Sequence, residues 1–291
     1  MRKIDFFIAG VQKSGTTTIY DLLSKDSRIY LPKIKENPFF TNSDINEDFN
    51  ERLYSGYNSE ILCGGAYANA IFFHQSAKEL IKHNPKIKII LILRNPIDRA
   101  YSAYYYSNRL GIDSTKSFES AINNEYKNNF RKYIDIANKT YLEHGHYYEQ
   151  IVKYSEFIPL KRMHIILFED LVQNEKEVLK GIYDFLGLDL DNSNNIKSIK
   201  SNASSVVKIK WLHKLVFDKN IIKTIYQKLM PENIRYFINY KIVKKLEKVN
   251  KKNAAYVLMK KETRKRLKEY YISHNTKLEK LLDVDLNDWK E

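Results

Sequence analysis

Lys13-Ser14-Gly15-Thr16-Thr17-Thr18 packs an ammonium group, four hydroxyls and a glycine into six consecutive residues. So many hydrogen-bond donors around one point suit an anion. The flanks strengthen that reading. The apolar run Phe6-Phe7-Ile8-Ala9 predicts a buried strand, Gly10 to Gly15 a tight turn, and the stretch from Thr16 through Leu23 a helix. A strand, a turn and a helix start aim backbone N–H groups, with the positive end of the helix dipole, at one spot. The order of residues is informative. The nucleoside-triphosphate loop reads Gly-x-x-x-x-Gly-Lys-Ser/Thr, with its lysine after the second glycine. Here Lys13 precedes Gly15, which argues for an anionic group held in a different way.

A second cluster begins at Arg94. In Leu93-Arg94-Asn95-Pro96-Ile97-Asp98-Arg99-Ala100-Tyr101-Ser102, an arginine ends a predicted strand and a serine lies within the next helix. Both are placed to reach one phosphate, the arginine through a planar charged fork and the serine through a single donor. The alternative is a plain salt bridge from Arg94 to Asp98 or Asp170 at the strand end.

These segments together resemble the sulfotransferases that use 3′-phosphoadenosine 5′-phosphosulfate (PAPS). Lys-Ser-Gly-Thr-Thr after a first strand resembles their 5′-phosphosulfate loop. Arg-Asn-Pro-x-x-Arg-x-x-Ser, about eighty residues later, resembles their 3′-phosphate motif. A third stretch, Lys35-Glu36-Asn37-Pro38-Phe39-Phe40, resembles the Lys-Glu-x-x-Phe-Phe of Golgi carbohydrate sulfotransferases and their bacterial relatives.

The resemblance implies that PAPS is the co-substrate and 3′-phosphoadenosine 5′-phosphate (PAP) the product, with no metal required. It also implies residue roles. Lys13 neutralises charge on the bridging oxygen. Ser14, Gly15, Thr16, Thr17 and Thr18 hold the 5′-phosphate. Arg94 and Ser102 hold the 3′-phosphate, and Glu36 is the general base. The other reading of Glu36 is a surface glutamate beside Lys35. Weaker likenesses reach further: Gly145-His146-Tyr147, Phe168-Glu169-Asp170-Leu171, Asn202-Ala203-Ser204 with Lys200 or Lys208, and Leu267 to Trp289. One departure stands out. Where many relatives carry Gly-Glu-x-Ser/Thr-Pro, this chain reads Cys63-Gly64-Gly65-Ala66-Tyr67-Ala68-Asn69. That leaves Tyr67, Asn69 or His74 to serve the acceptor side.

The elements that must position these residues alternate. Predicted strands at Lys3–Ala9, Lys86–Leu93 and Met163–Phe168 are followed by helices at Thr16–Asp26, after Pro96, and from Asn174 to before Gly187. The Asn174 side chain is expected to cap that last helix. Tyr141–Phe157 also reads as a helix and Thr41–Ser59 as a polar surface excursion. Alternation of this kind predicts an α/β fold, a central parallel sheet flanked by helices with ligands at the carboxyl ends of the strands. The resemblance narrows this to a P-loop-like sulfotransferase fold, a single domain over residues 1–291. Beyond Val206 only helices are expected, at Val206–Phe217, Ile221–Met230, Asn233–Asn250 and Glu262–Asp283. In the tyrosine run Tyr101, Tyr104, Tyr105 and Tyr106, most rings are expected in the core and one beside the acceptor.

Composition bounds the rest. The 291 residues are 43% hydrophobic and contain one cysteine, Cys63, so no internal disulfide forms. No signal-peptide pattern or run of about eighteen apolar residues occurs, which predicts a cytoplasmic protein. The seven histidines show no metal-ligand spacing. The net charge of +14 is concentrated late: residues 205–291 hold 22 Lys and Arg against 10 Asp and Glu. Such helices can rest on an anionic membrane. The expected acceptor is a hydroxyl or amine of a sugar, polysaccharide or glycolipid, and nucleic acid is not an expected partner. The rivals are a nucleotide kinase, which needs an acidic magnesium ligand such as Asp170, and a basic nucleic-acid-binding protein, whose binding falls steeply with salt.

Overall fold

The computed structural model describes residues 3–42, 47–58, 60–127, 130, 132–190 and 258–290. Five strands form one parallel sheet in the order β2-β3-β1-β4-β5. They are β1 (Phe6–Gly10), β2 (Ile29–Tyr30), β3 (Leu62–Ala66), β4 (Lys88–Leu93) and β5 (Met163–Leu167). The central strands β1 and β4 are nearly continuous apolar runs because both faces of the sheet are covered. Their side chains alternate between two cores. Phe7, Ala9, Ile89, Leu91 and Leu93 face one, and Phe6, Ile8, Ile90 and Ile92 face the other.

The helices supply the cover. The first core also takes Ile151 and Tyr154 of α7 (Tyr147–Ser155), Leu278 of α10 (Lys261–Leu282) and Trp289 of α11 (Asn287–Lys290). The second takes Ile19 and Leu23 of α1 (Thr16–Leu23), Leu171 of α8 (Phe168–Gln173), and Ile182 and Leu186 of α9 (Glu175–Leu186). A third cluster joins α4 (Pro96–Arg109), α5 (Phe118–Lys127) and α10 through Ile97, Ala100, Phe118, Ile122, Leu267 and Tyr271. The remaining helices are α2 (Glu47–Leu53), α3 (Gln75–His83) and α6 (Tyr133–Lys139).

Several expectations change. Strands β2 and β3 carry little strand signal: β2 has two residues and β3 reads Leu-Cys-Gly-Gly-Ala. They form by pairing, Phe6 opposite Gly64 and Phe7 opposite Gly65. A Cβ on Gly64 would sit 2.2 Å from the Phe6 ring, so glycine lets the aromatic side chain lie flat on the neighbouring strand. The polar stretch 41–59 is not a pure excursion, since it contains α2 and buries Asn50, Leu53 and Tyr54. Helix α1 stops at Leu23, short of Asp26, and the expected helix 141–157 starts only at Tyr147, after a one-turn 3-10 segment at Glu143–Gly145. Helix α9 follows Asn174 and ends at Gly187 with φ 82°, but Asn174 makes no side-chain cap. The helices expected at 206–217, 221–230 and 233–250 lie outside the described residues, as do Asn202-Ala203-Ser204, Lys200 and Lys208.

Candidate active site

The loop after β1 is built as its sequence suggests. Gly15 has φ 90° and immediately precedes α1. A Cβ there would lie 2.9 Å from Leu171 Cδ2 and 3.2 Å from Phe168 Cδ2, so both conformation and space favour glycine. The Val11 N–H donates to the Ile92 carbonyl at 2.9 Å, which stitches the loop to the end of β4. Ser14 is fully buried, and its Oγ has no hydrogen-bond partner among the described residues. An orphaned buried hydroxyl is costly unless something fills its valence. Together with the helix start, it fits a loop made to receive an anion. Thr16 is buried, Thr18 half-buried and Thr17 exposed.

Two distant segments grip this loop. Arg94 follows β4 directly, and its Nη1 donates to the Lys13 carbonyl at 3.0 Å while the guanidinium lies 4.8 Å from the centre of the Phe168 ring. It does not form the salt bridge that was the other reading. Asp98 instead pairs with Arg264, and Asp170 is exposed on α8. Arg94 is braced in turn: Tyr147 Oη donates to its carbonyl at 2.8 Å. Burial pushes the Tyr147 phenol up, so it stays a neutral donor. Asn95 caps α4, its Oδ1 accepting from the N–H of Ile97 at 3.0 Å, and its own N–H donates to Glu169 Oε1 at 3.3 Å. Ser102 is buried in α4, about two helical turns from Asn95.

The second grip comes from the segment after β2. Glu36 forms an isolated parallel bridge with Ala66 at the end of β3. Its Oε2 accepts the Ala68 N–H at 3.0 Å and its Oε1 accepts Lys35 Nζ at 2.6 Å. Lys35 Nζ also donates to Thr16 Oγ1 at 3.0 Å. Glu36 therefore stands beside the Lys13–Thr18 loop, with its side chain 32% exposed. Glu36 is partly exposed and does lie beside Lys35, and through that pair it is linked to Thr16.

Structure adds two residues that sequence reasoning passed over. Lys35 entered only as a neighbour of Glu36; it is buried while Lys33 is exposed, a difference the residue types do not reveal. Tyr106 entered as one of four tyrosines. Its ring centre lies 4.4 Å from Lys13 Nζ and 5.5 Å from the Arg109 guanidinium, a cation–π arrangement. Tyr101 and Tyr104 pack in the core with Phe118.

Of the residues expected on the acceptor side, Tyr67 joins a hydroxyl chain. Tyr133 Oη donates to Tyr67 Oη at 2.8 Å and lies 2.6 Å from Thr41 Oγ1. Burial pushes the Tyr133 phenol up to about 12. Asn69 instead donates to the Ala137 carbonyl at 3.2 Å, and His74 is exposed just before α3.

Three comparisons with known proteins bear on this site. The family model for the sulfotransferase domain matches residues 3–255. Cytosolic sulfotransferase 14 of Arabidopsis thaliana is 24% identical over 263 residues, covering 79% of this chain and 72% of the relative. The bifunctional heparan sulfate N-deacetylase/N-sulfotransferase of Drosophila melanogaster is 27% identical over 95% of this chain, which spans only 26% of that protein. Among solved structures, a sulfotransferase from Alicyclobacillus acidocaldarius shares the fold over 100% of both chains, with a TM-score of 0.71 and 22% identity.

Proposed function

We propose, from the premise that the chain belongs to the sulfotransferase domain family, that it transfers the sulfuryl group of PAPS to an acceptor hydroxyl or amine. Membership makes it a transferase enzyme. The donor nucleotide, the acceptor and the residue roles are our reading, as is the treatment of residues 1–291 as one domain. The observation that carries it is the double grip on one loop: Arg94 holds it at the Lys13 carbonyl and Lys35, paired with Glu36, holds it at Thr16. The anion site, the cation expected at the 3′-phosphate and the expected base are thus one connected unit.

In this reading the loop N–H groups, Ser14 Oγ and the threonine hydroxyls receive the 5′-phosphate. Lys35 already donates to Thr16 Oγ1, so the Thr16 hydrogen is left to point elsewhere and can donate to phosphate. Arg94 and Ser102 receive the 3′-phosphate and so select this nucleotide over ADP. As the acceptor oxygen attacks sulfur, its proton passes to Glu36 and the bond from sulfur to the bridging phosphate oxygen breaks. The electron pair stays on PAP, and Lys13 offsets that charge. A positioned base contributes about 10²–10⁴ in rate.

We place the acceptor among saccharides or glycolipids. The Lys-Glu-x-x-Phe-Phe segment and the name of the Drosophila relative support that class. Peripheral contact with an anionic membrane belongs to the same reading. Among the described residues no helix is long and apolar enough to cross a membrane, and no His, Cys, Asp and Glu group is suited to a metal ion.

Calorimetry tests the donor. PAP is expected to bind with micromolar affinity without magnesium, and ADP at least about tenfold more weakly. Lys13→Ala is expected to abolish release of PAP from PAPS. Equal binding of PAP, ADP and ATP, or magnesium-dependent ATP hydrolysis, would overturn the proposal in favour of a kinase.

A further inference from the structure

We infer that Lys35 is a positioning residue, one that locks the carboxylate of Glu36 to the nucleotide loop; this rests on the reading of Glu36 as the base. Lys35 is 6% exposed, and an ammonium that has left water needs close polar partners to offset its lost hydration. It has two, at 2.6 Å on Glu36 Oε1 and 3.0 Å on Thr16 Oγ1. The Ala68 N–H takes the second oxygen of Glu36 at 3.0 Å. The carboxylate is thus held at both ends, by the backbone after β3 on one side and by Lys35 on the other. Of these two contacts, the one through Lys35 leads to the nucleotide loop, at Thr16.

The geometry has a specific consequence. Thr16 opens α1 at the phosphate cradle, and Glu36 is the group that must meet the acceptor oxygen on the far side of sulfur. The Lys35 side chain bridges them directly. A compact ammonium on a flexible stem suits two partners in different directions better than a planar guanidinium does. Without it, Glu36 keeps the Ala68 contact but loses this link to the loop. A misplacement of about 1 Å at a reacting group costs on the order of 10² in rate.

The test uses the whole chain carrying Lys35→Met, Glu36→Gln, or both. PAP binding is measured by calorimetry, PAP release from PAPS by chromatography, and the position of Glu36 in a crystal structure of Lys35→Met. Lys35→Met is expected to lower kcat by about 10², to change the KM for PAPS and the Kd for PAP by less than about tenfold, and to free the Glu36 carboxylate from its present position. In the Glu36→Gln background it is expected to add little, because residues acting through one another are not additive. A full Lys35→Met penalty that persists in Glu36→Gln overturns the inference, as does a Glu36 carboxylate unmoved in the variant crystal. Should Lys35→Met not fold, Lys35→Gln keeps a donor for Thr16 without the charge and is read in the same way. A wild type that does not bind PAP sinks the donor assignment instead, and the crystal structure still decides whether Lys35 holds Glu36.

Discussion

Replacing Arg94 by alanine separates two jobs of one side chain, a loop contact seen in the structure and the 3′-phosphate contact we propose. The first is internal: Nη1 holds the Lys13 carbonyl at 3.0 Å, with the guanidinium stacked 4.8 Å from the Phe168 ring centre. A hydrogen bond from a charged donor contributes about 1.5–3 kcal/mol net. Its loss loosens the loop for any nucleotide, and at the lower figure that is about tenfold in affinity. The second is external. The bond to Lys13 uses one of the guanidinium's five N–H donors, and a 3′-phosphate taken by two others adds about 3 kcal/mol that only PAP can lose. PAP should therefore weaken by about 10³ and ADP by about tenfold in Arg94→Ala. Titration calorimetry of both nucleotides against wild type and variant reads the ratio directly. If PAP and ADP weaken by the same factor, Arg94 merely braces the loop and the 3′-phosphate is held elsewhere.

Two further expectations concern the scaffold. Gly15→Ala forces a side chain into φ 90° and to 2.9 Å from Leu171 Cδ2; the conformation alone costs about 1–2 kcal/mol. The melting temperature should fall by about 2–3 °C, and a calorimetric scan within about 1 °C of wild type would show that the loop tolerates a Cβ. His146, stacked on His274 at 4.0 Å with Nε2 2.8 Å from Tyr270 Oη, is pushed down to about 4 by burial and by the neighbouring His274. A group whose folded value is depressed stabilises the fold above its unfolded value. That contribution, up to about 3 kcal/mol, is lost as pH falls from about 6.5 to about 4. Urea titrations should show His146→Phe flattening this acid slope relative to wild type; identical slopes would contradict the assignment.

How much of this was readable without coordinates depends on the distance between the residues concerned. The strand–turn–helix around Lys13 to Thr18 was readable because it is local: six contiguous residues, an apolar strand before them and a helix after. The position of Arg94 was readable for the same reason, since the run of β4 ends at Leu93. Segments that resemble the family only weakly turn out to brace the site from behind. Tyr147 holds the Arg94 carbonyl and Glu169 the Asn95 N–H. Gly145 packs so closely that a Cβ would meet Tyr271 Oη at 2.7 Å. None of those contacts is visible in spacing.

The sequence by itself determined the alternation of strands and helices, the strand–turn–helix that carries Lys13 to Thr18, and the place of Arg94 at a strand end. Those features arise from neighbours along the chain, through local hydrogen bonding and the period of apolar residues. Tertiary structure alone decided that β3 is a strand despite its glycines, that Lys35 is buried and Lys33 is not, and that Tyr106 lies under Lys13. It alone joined Thr16 to Lys35, 19 residues apart, and Lys13 to Arg94, 81 apart. Such contacts depend on which faces of the sheet the helices cover, and packing is a property of the whole chain rather than of any segment.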